Sequence, residues 1–141
     1  MTYLDKKQQA VHPPTQYRIT FPEWTFAVFR SWRDWVVKTK MDDFAAGIVW
    51  MEDDAGTVTQ ETVSDYNVAL ASAFAVVEEP DETVVDDSGN IVYHTSEKEV
   101  AELPFAVGIW AGDCAAEWLT GGLTVFRHRP KRVVAPVAGT H

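Results

Sequence analysis

Cys114 is the side chain of this sequence best suited to covalent chemistry, because it is the only thiol. Asp113 is a suitable N-cap, so the pattern predicts that Cys114 lies at the start of a short helix, where the helix dipole stabilises a thiolate. His94 or His128 is the candidate base for such a nucleophile. Asp113 would also raise the thiol pKa, and a lone cysteine among alanines is typical of a small buried apolar residue. We therefore predict no catalytic residue and keep Cys114 as an alternative.

The triplet Gly112-Asp113-Cys114 resembles the nucleophile region of cysteine hydrolases with transglutaminase-like folds. The resemblance covers these three residues. It implies a cysteine nucleophile assisted by histidine and aspartate partners, so a small cysteine hydrolase is retained as an alternative function.

Metal ligands are not grouped in the sequence. None of the four histidines stands two or four residues from another, which is the spacing of common zinc motifs. Acidic segments at Asp53 and Asp86 each precede a glycine, as in calcium loops. Aligning that glycine with the sixth loop position puts Met51 or Val84 first, and neither side chain binds calcium. We predict turns here, with no metal and no cofactor.

Charge separates the chain into three parts within a net charge of −9. Residues 1–40 hold seven Lys/Arg and three Asp/Glu. Residues 41–102 hold one Lys and sixteen Asp/Glu, and residues 103–141 hold four Lys/Arg and two Asp/Glu. The acidic middle suits a basic partner, or the basic end of a neighbouring copy, or it simply solvates the surface. Phosphate contacts need clustered Lys/Arg, so the balance weighs against nucleic acid as the partner.

The elements that would position these residues belong to one domain, because 141 residues is a typical domain length. Apolar residues recur at helical spacing over residues 22–39 and 65–77, which predicts two main helices. Two acidic, glycine-containing turns predict hairpins. Their predicted strands are residues 44–51 with 57–63, and residues 83–85 with 90–94.

The remaining segments complete an α+β prediction. Hairpins and helices without βαβ spacing favour a single domain built on an antiparallel sheet with two main helices. Proline-containing ends predict an N-terminal arm over residues 1–16 and a C-terminal arm over residues 127–141, around a domain of residues 17–126. The shorter predictions are a loop at 78–82, a capping box and helix at 96–103, a strand at 105–110, a helix at 113–119 ended by Gly121 and Gly122, and a strand at 123–126.

Aromatic residues on the first predicted helix are candidate partner-binding residues. Trp24, Trp32 and Trp35 fall on one stripe of that helix. Phe29 lies off this stripe, so the helix is apolar on more than one side. Core packing accounts for one side, and aromatic anchors of a protein interface would account for the other.

The basic cluster near the C-terminus is the second candidate partner-binding feature. It consists of Arg127, Arg129, Lys131 and Arg132. In a chain of net negative charge, we expect these side chains to contact the acidic face of a neighbouring protein rather than phosphate.

These observations favour a non-enzymatic protein that binds other protein subunits, by self-association or within a larger assembly. A small virion component of the capsid-associated or head–tail joining type is the class that we expect. The alternative is an acidic inhibitor, such as an immunity or anti-defence protein, that occupies a basic nucleic-acid-binding cleft. No apolar run reaches the ~18 residues of a membrane span, and residues 1–10 lack the apolar core of a signal peptide. We therefore expect no membrane partner and a cytoplasmic or virion location.

Overall fold

The computed structural model describes residues 3–39, 46–52 and 55–127. Over these residues the chain combines three α-helices with antiparallel strands, so the predicted α+β class is confirmed. None of the described helices has both the length and the hydropathy that a membrane crossing needs.

A four-stranded antiparallel sheet forms one layer of the molecule. Its strands are β1 (Gln9–Val11), β2 (Arg18–Thr20), β5 (Val76–Val85) and β6 (Ile91–Thr95), in the order β1-β2-β5-β6. The β5–β6 pair is the second predicted hairpin, with the left-handed Gly89 in its turn. The sheet is therefore built from residues far apart in the chain, with β2 and β5 side by side at its centre.

Three helices form the other layer. They are α1 (Phe26–Thr39), α2 (Asp65–Phe74) and α3 (Phe105–Arg127), and a short 3₁₀ helix (Val100–Glu102) precedes α3. The core between the layers takes its largest fully buried side chains from β2, α2 and α3. These side chains are Ile19, Leu70, Val107, Cys114 and Trp118.

The other predicted hairpin forms a separate two-stranded sheet. Strand β3 (Ala46–Glu52) pairs with β4 (Val58–Ser64) in a regular antiparallel register, which confirms this hairpin. Strand β4 runs directly into α2, whose N-cap is Ser64. The Ser64 hydroxyl accepts a hydrogen bond from the Asn67 N–H, as expected of a serine at this position.

The described part of the N-terminal segment, residues 3–16, does not form the arm predicted over residues 1–16. Residues 9–11 are a sheet strand, and Ala10 is buried opposite Ile19. The backbone N–H groups of Tyr3 and Leu4 each donate a 2.7 Å hydrogen bond to the Glu117 carboxylate. The domain therefore includes this segment, because its backbone groups are paired with β2 and α3. The predicted C-terminal arm lies outside the described residues, except for Arg127.

The region after residue 104 differs most from the prediction. The strand predicted at 105–110, the helix at 113–119 and the strand at 123–126 are one continuous helix, α3. Buried residues recur along it every three or four positions, which is helical and not strand spacing. The residues on this stripe are Val107, Ala111, Cys114 and Trp118.

Gly121 and Gly122 do not end α3, contrary to the prediction. A Cβ atom at Gly122 would overlap the indole ring of Trp24. At Gly122 an aromatic ring therefore lies close to the helix backbone. Local sequence does not distinguish a glycine with this role from a glycine that ends a helix.

Other boundaries also shift. The helix predicted over 22–39 begins only at Phe26, and the one predicted over 65–77 ends at Phe74 because the next residues enter β5. The loop predicted at 78–82 is part of β5, where Glu78 is paired with Arg18 at 2.9 Å. The short helix predicted over 96–103 is reduced to the 3₁₀ turn, with its capping box at Glu99.

Candidate protein-binding surface

The inward side of α1 belongs to an aromatic layer over the core. The Trp24 and Trp118 rings stack at 4.3 Å, and Phe74 lies 5.4 Å from Trp118. Trp24 Nε1 donates to the Trp118 carbonyl and Trp118 Nε1 donates to the Pro22 carbonyl, each at 2.9 Å. Because both indole N–H groups are bonded within the domain, these two rings join the start of α1 to α3.

Two further tryptophans extend this layer along α1. Trp32 Nε1 lies 3.4 Å from the Tyr66 hydroxyl, and the Trp35 ring lies 5.5 Å from Tyr66 and 6.0 Å from Phe74. We define the aromatic layer by the rings that connect α1 with α2, α3 and the chain before α1. Its members are Phe21, Trp24, Trp32, Trp35, Tyr66, Phe74 and Trp118.

The layer places three predicted partner-binding residues against the core. Trp24, Trp32 and Trp35 are half-buried and pack on the core cluster. Phe29 is also half-buried, with its ring 6.0 Å from Trp32. Partner binding by these four residues stays a prediction, while their packing role is visible directly.

The outward side of α1 is different in composition. Phe26 and Val37 are 64% and 75% exposed. Arg30 and Arg33 lie between them at helical spacing, on the side opposite the tryptophans. The Arg30 guanidinium lies 5.1 Å from the Phe26 ring centre. We call Phe26, Arg30, Arg33 and Val37 the outer stripe of α1.

The largest exposed aromatic of the hairpin is Trp50, at 70% exposure. Ile48 and Val58, at 61% and 56%, share its side of the two strands, because the register pairs residue 48 with 62, 50 with 60 and 52 with 58. Positions 46 and 64 complete this side at the base of the hairpin, and we call its other six residues the outer face of the hairpin. They are Ile48, Trp50, Glu52, Val58, Gln60 and Thr62.

The opposite side of the hairpin adjoins the rest of the domain at one end. Val63 lines an apolar cleft of about 210 Å³ with Val68, Leu103 and Ile109. Burial, followed by the charge of Glu61, raises the pKa of Asp113 on α3. Val63 therefore places the end of β4's inner side beside α2 and α3, while Thr59 and Glu61 further along the same side are exposed. The outer face lies on the side of the hairpin away from this cleft.

Cys114 does not occupy the environment predicted for a nucleophile. It lies in the middle of α3 rather than at the start of a short helix, and it has no exposed surface. Burial, and to a smaller extent the charges of Glu117 and Asp113, raises the pKa of the thiol to about 12. The thiol is therefore protonated at neutral pH, and the helix dipole near its N-terminus does not act on it.

His94, one candidate base for Cys114, lies instead in a polar cluster on the sheet. Its Nε2 is 3.4 Å from Glu79 Oε2, while the hydroxyls of Ser96 and Tyr17 donate to Glu79 Oε1 at 3.2 and 3.4 Å. Burial, and to a smaller extent the charge of Glu79, raises the pKa of Tyr17. The Ser96 hydroxyl is bonded to the carboxylate and not to the imidazole, so the cluster lacks the order of a serine triad. It ties β5 to β6 and to the chain before β2.

The remaining predicted residues cannot be placed in a site. His128, Arg129, Lys131 and Arg132 lie outside the described residues, and of Arg127 only the backbone, at the end of α3, is described. Among the residues that the structure describes, no group of three or more His, Cys, Asp or Glu side chains could hold a metal ion.

Comparison with family models, with curated proteins and with solved structures found no match. The site is therefore assigned from geometry. The outer face of the hairpin brings three largely exposed apolar side chains, Ile48, Trp50 and Val58, to one side of two paired strands.

Sequence reasoning did not select Ile48, Trp50 and Val58. A signal was present, because Ile48, Val49, Trp50 and Met51 are consecutive apolar residues in a strand. Such a strand presents apolar side chains on both sides, and a two-stranded sheet covers neither of them by itself. Half of the six tryptophans fall within the helix predicted over residues 22–39, and these were the tryptophans predicted to bind a partner.

Proposed function

We propose that this protein is a non-enzymatic subunit of a protein assembly, and that the outer face of the hairpin is one of its binding surfaces. The observation that supports the proposal is the grouping of Ile48, Trp50 and Val58, all largely exposed, on one side of two strands. Exposed apolar groups of this kind mark interaction sites, and tryptophan is among the commonest anchors of protein interfaces.

The isolation of the hairpin supports the same proposal. Two-stranded sheets are marginally stable by themselves and gain stability when a face is covered. Here Val63, at the end of the inner side, lines a cleft with α2 and α3, whereas Ile48, Trp50 and Val58 are largely exposed. A partner on the outer face would bury these exposed apolar side chains and stabilise the hairpin.

The class of assembly follows from the charge pattern. An acidic middle between two basic ends allows subunits to set their register by charge. A small virion component, of the capsid-associated or head–tail joining type, is the class that this pattern suits, and it implies a virion location with a cytoplasmic precursor.

A photo-crosslinking residue at position 50 tests this function in cells that make the protein. We expect a defined adduct with a protein, identified by peptide mapping, and no adduct when the same probe replaces the exposed Ser88. The adduct should be lost in Ile48→Ser/Val58→Ser, which removes the rest of the apolar face. It should persist in Ile91→Ser, a matched change of an exposed apolar residue elsewhere.

Equal yields from positions 50 and 88 would refute the proposal. An adduct with a basic nuclease or another basic nucleic-acid-binding enzyme would favour the acidic inhibitor instead of the assembly subunit.

A further inference from the structure

We propose that the partner on the outer face of the hairpin is the outer stripe of α1 in a second copy of this chain. This inference rests on the proposed function, because it names the occupant of the same surface. It predicts a head-to-tail contact, in which each copy offers its hairpin to one neighbour and its helix α1 to another.

The two surfaces match in apolar character. The hairpin presents Trp50 between Ile48 and Val58, and α1 presents Phe26 and Val37 at the two ends of its stripe. The opposite side of α1 packs on the core, and the opposite side of the hairpin adjoins the domain at Val63. A helix laid across a two-stranded sheet buries one face of each, which is a standard packing of two layers.

The charges of the two surfaces are opposite. Helix α1 carries Arg30, Arg33 and Lys38 against a single acid, Asp34. The outer face of the hairpin carries Glu52 and no basic residue, and the sequence from residue 41 to residue 97 contains no Lys or Arg. Opposite charges around an apolar centre favour association and fix its register.

The arginines of the stripe contact aromatic rings of their own helix. The Arg30 guanidinium lies over Phe26 at 5.1 Å, and that of Arg33 lies over Phe29 at 6.0 Å, with its Nε 3.9 Å from the exposed Asp34 carboxylate. Stacking on an aromatic ring restricts a long flexible side chain, so less conformational entropy is lost when the arginine meets an acidic neighbour.

The same charges disfavour contacts between identical surfaces. A symmetric hairpin-to-hairpin contact would bring Glu52 of both copies to one interface, and a symmetric contact between two α1 stripes would do the same with Arg30 and Arg33. Like charges at an interface are repulsive, so the unlike pairing of hairpin with α1 is preferred.

A head-to-tail contact leaves one unused surface at each end of any pair. Copies therefore continue to add until the rotation between neighbours closes a ring, or they form an open filament if it does not. The expected species is larger than a dimer and grows with protein concentration.

Mixing two one-sided variants of the full chain tests this pairing. Trp50→Ser removes the hairpin anchor, and Arg30→Glu/Arg33→Glu reverses the charge of the α1 stripe. By light scattering we expect wild type above the 15.8 kDa mass of one chain and each variant alone at that mass. An equimolar mixture should give a complex of twice the chain mass and nothing larger, because each variant retains one working surface.

Matched controls separate the surface from general effects. Ile91→Ser removes an exposed apolar residue elsewhere, and Lys6→Glu/Lys7→Glu makes the same change of charge away from α1. Both should assemble as wild type does. If Arg30→Glu/Arg33→Glu unfolds, judged by circular dichroism, Arg30→Gln/Arg33→Gln replaces it. Salt of about 1 M should weaken the wild-type assembly, because it screens the charge pairs.

Wild type that remains monomeric up to about 100 µM overturns the inference. Variants that fail to form a mixed dimer, or a wild type that stops at a symmetric dimer, also overturn it. The crosslinking experiment distinguishes failure of this inference from failure of the proposed function. A crosslink from position 50 to residues 26–37 of a second copy supports both, a crosslink to another protein supports the function alone, and no adduct removes both.

Discussion

The aromatic layer and the outer face of the hairpin use the same residue type in opposite ways. The indole N–H groups of Trp24 and Trp118 bond to carbonyl oxygens of their own domain, and their rings stack on each other. Trp50 lies on strand β3 of the separate two-stranded sheet, and its ring is mostly exposed. Tryptophan content alone therefore does not locate an interface. An interface is instead indicated where the strand or helix that carries the tryptophan leaves that ring exposed.

A comparison of two thiols gives the largest contrast between the regions. Cys114 is enclosed in the core and its pKa is about 12, so native alkylation requires opening of the domain. A thiol placed on the hairpin by Trp50→Cys in a Cys114→Ala chain should react ~10³-fold faster or more, which corresponds to an opening free energy of ~4 kcal/mol. Rates come from timed labelling and mass spectrometry. Rapid labelling of native Cys114 would instead support the cysteine hydrolase.

Trp118→Ala should cause the largest loss of stability from a single substitution. The fully buried indole stacks on Trp24 and Phe21 and donates to the Pro22 carbonyl. Truncation leaves a cavity, and we expect the free energy of unfolding to fall by about 3–5 kcal/mol in urea titrations. The free energy of unfolding should fall by less in Trp118→Phe, because this variant keeps an aromatic ring. Equal effects of the two would mean that the ring packing is not what holds α1 to α3.

Gly122→Ala should have an intermediate effect, because the added methyl group would overlap the Trp24 indole. We expect destabilisation by about 1–3 kcal/mol and a change in tryptophan fluorescence. The neighbouring Gly121 has open space around it and is the matched control. Gly121→Ala should stabilise α3 by about 0.5–1 kcal/mol, since alanine is the better helix former. The same sign for both substitutions would contradict the close approach of Trp24.

The glycine pair shows where sequence reasoning ends. The first helix, both hairpins and the α+β class are local patterns, and they were predicted from spacing and turn residues. Helix α3 was not, because Gly121 and Gly122 resemble a stop until the position of Trp24, almost a hundred residues away, is known. The N-terminal strand was missed for the same reason, since Ala10 is buried by its pairing with β2 and not by its neighbours in sequence.

The candidate surface was predictable only in part. The expectation of protein binding came from charge and aromatic content, and it remains a prediction. The apolar run at Ile48 to Met51 was predicted to be a hairpin strand, but which side of the hairpin adjoins the domain depends on the cleft at Val63. That cleft is formed by α2 and α3, and the sequence alone does not bring them to the hairpin.

Trp50→Ser should have the smallest effect on stability, in contrast to Trp118→Ala. Its ring is mostly exposed, so we expect the free energy of unfolding of the monomer to change by less than about 0.5 kcal/mol. Denaturation below the concentration at which copies associate provides the measurement. A loss of more than about 2 kcal/mol would place Trp50 in the fold and not in an interface.

The most direct test of the account measures binding and stability together for one tryptophan of each region. A crosslinking probe at position 58, on the outer face of the hairpin, reports partner contact in Trp50→Ser and in Trp32→Ser, and urea titration reports their stability. The account predicts that Trp50→Ser loses the adduct and keeps its stability. Trp32→Ser should lose stability, because its ring packs in the aromatic layer, and keep the adduct while it is folded. The opposite pattern would contradict the account and return the interface to the tryptophans of α1.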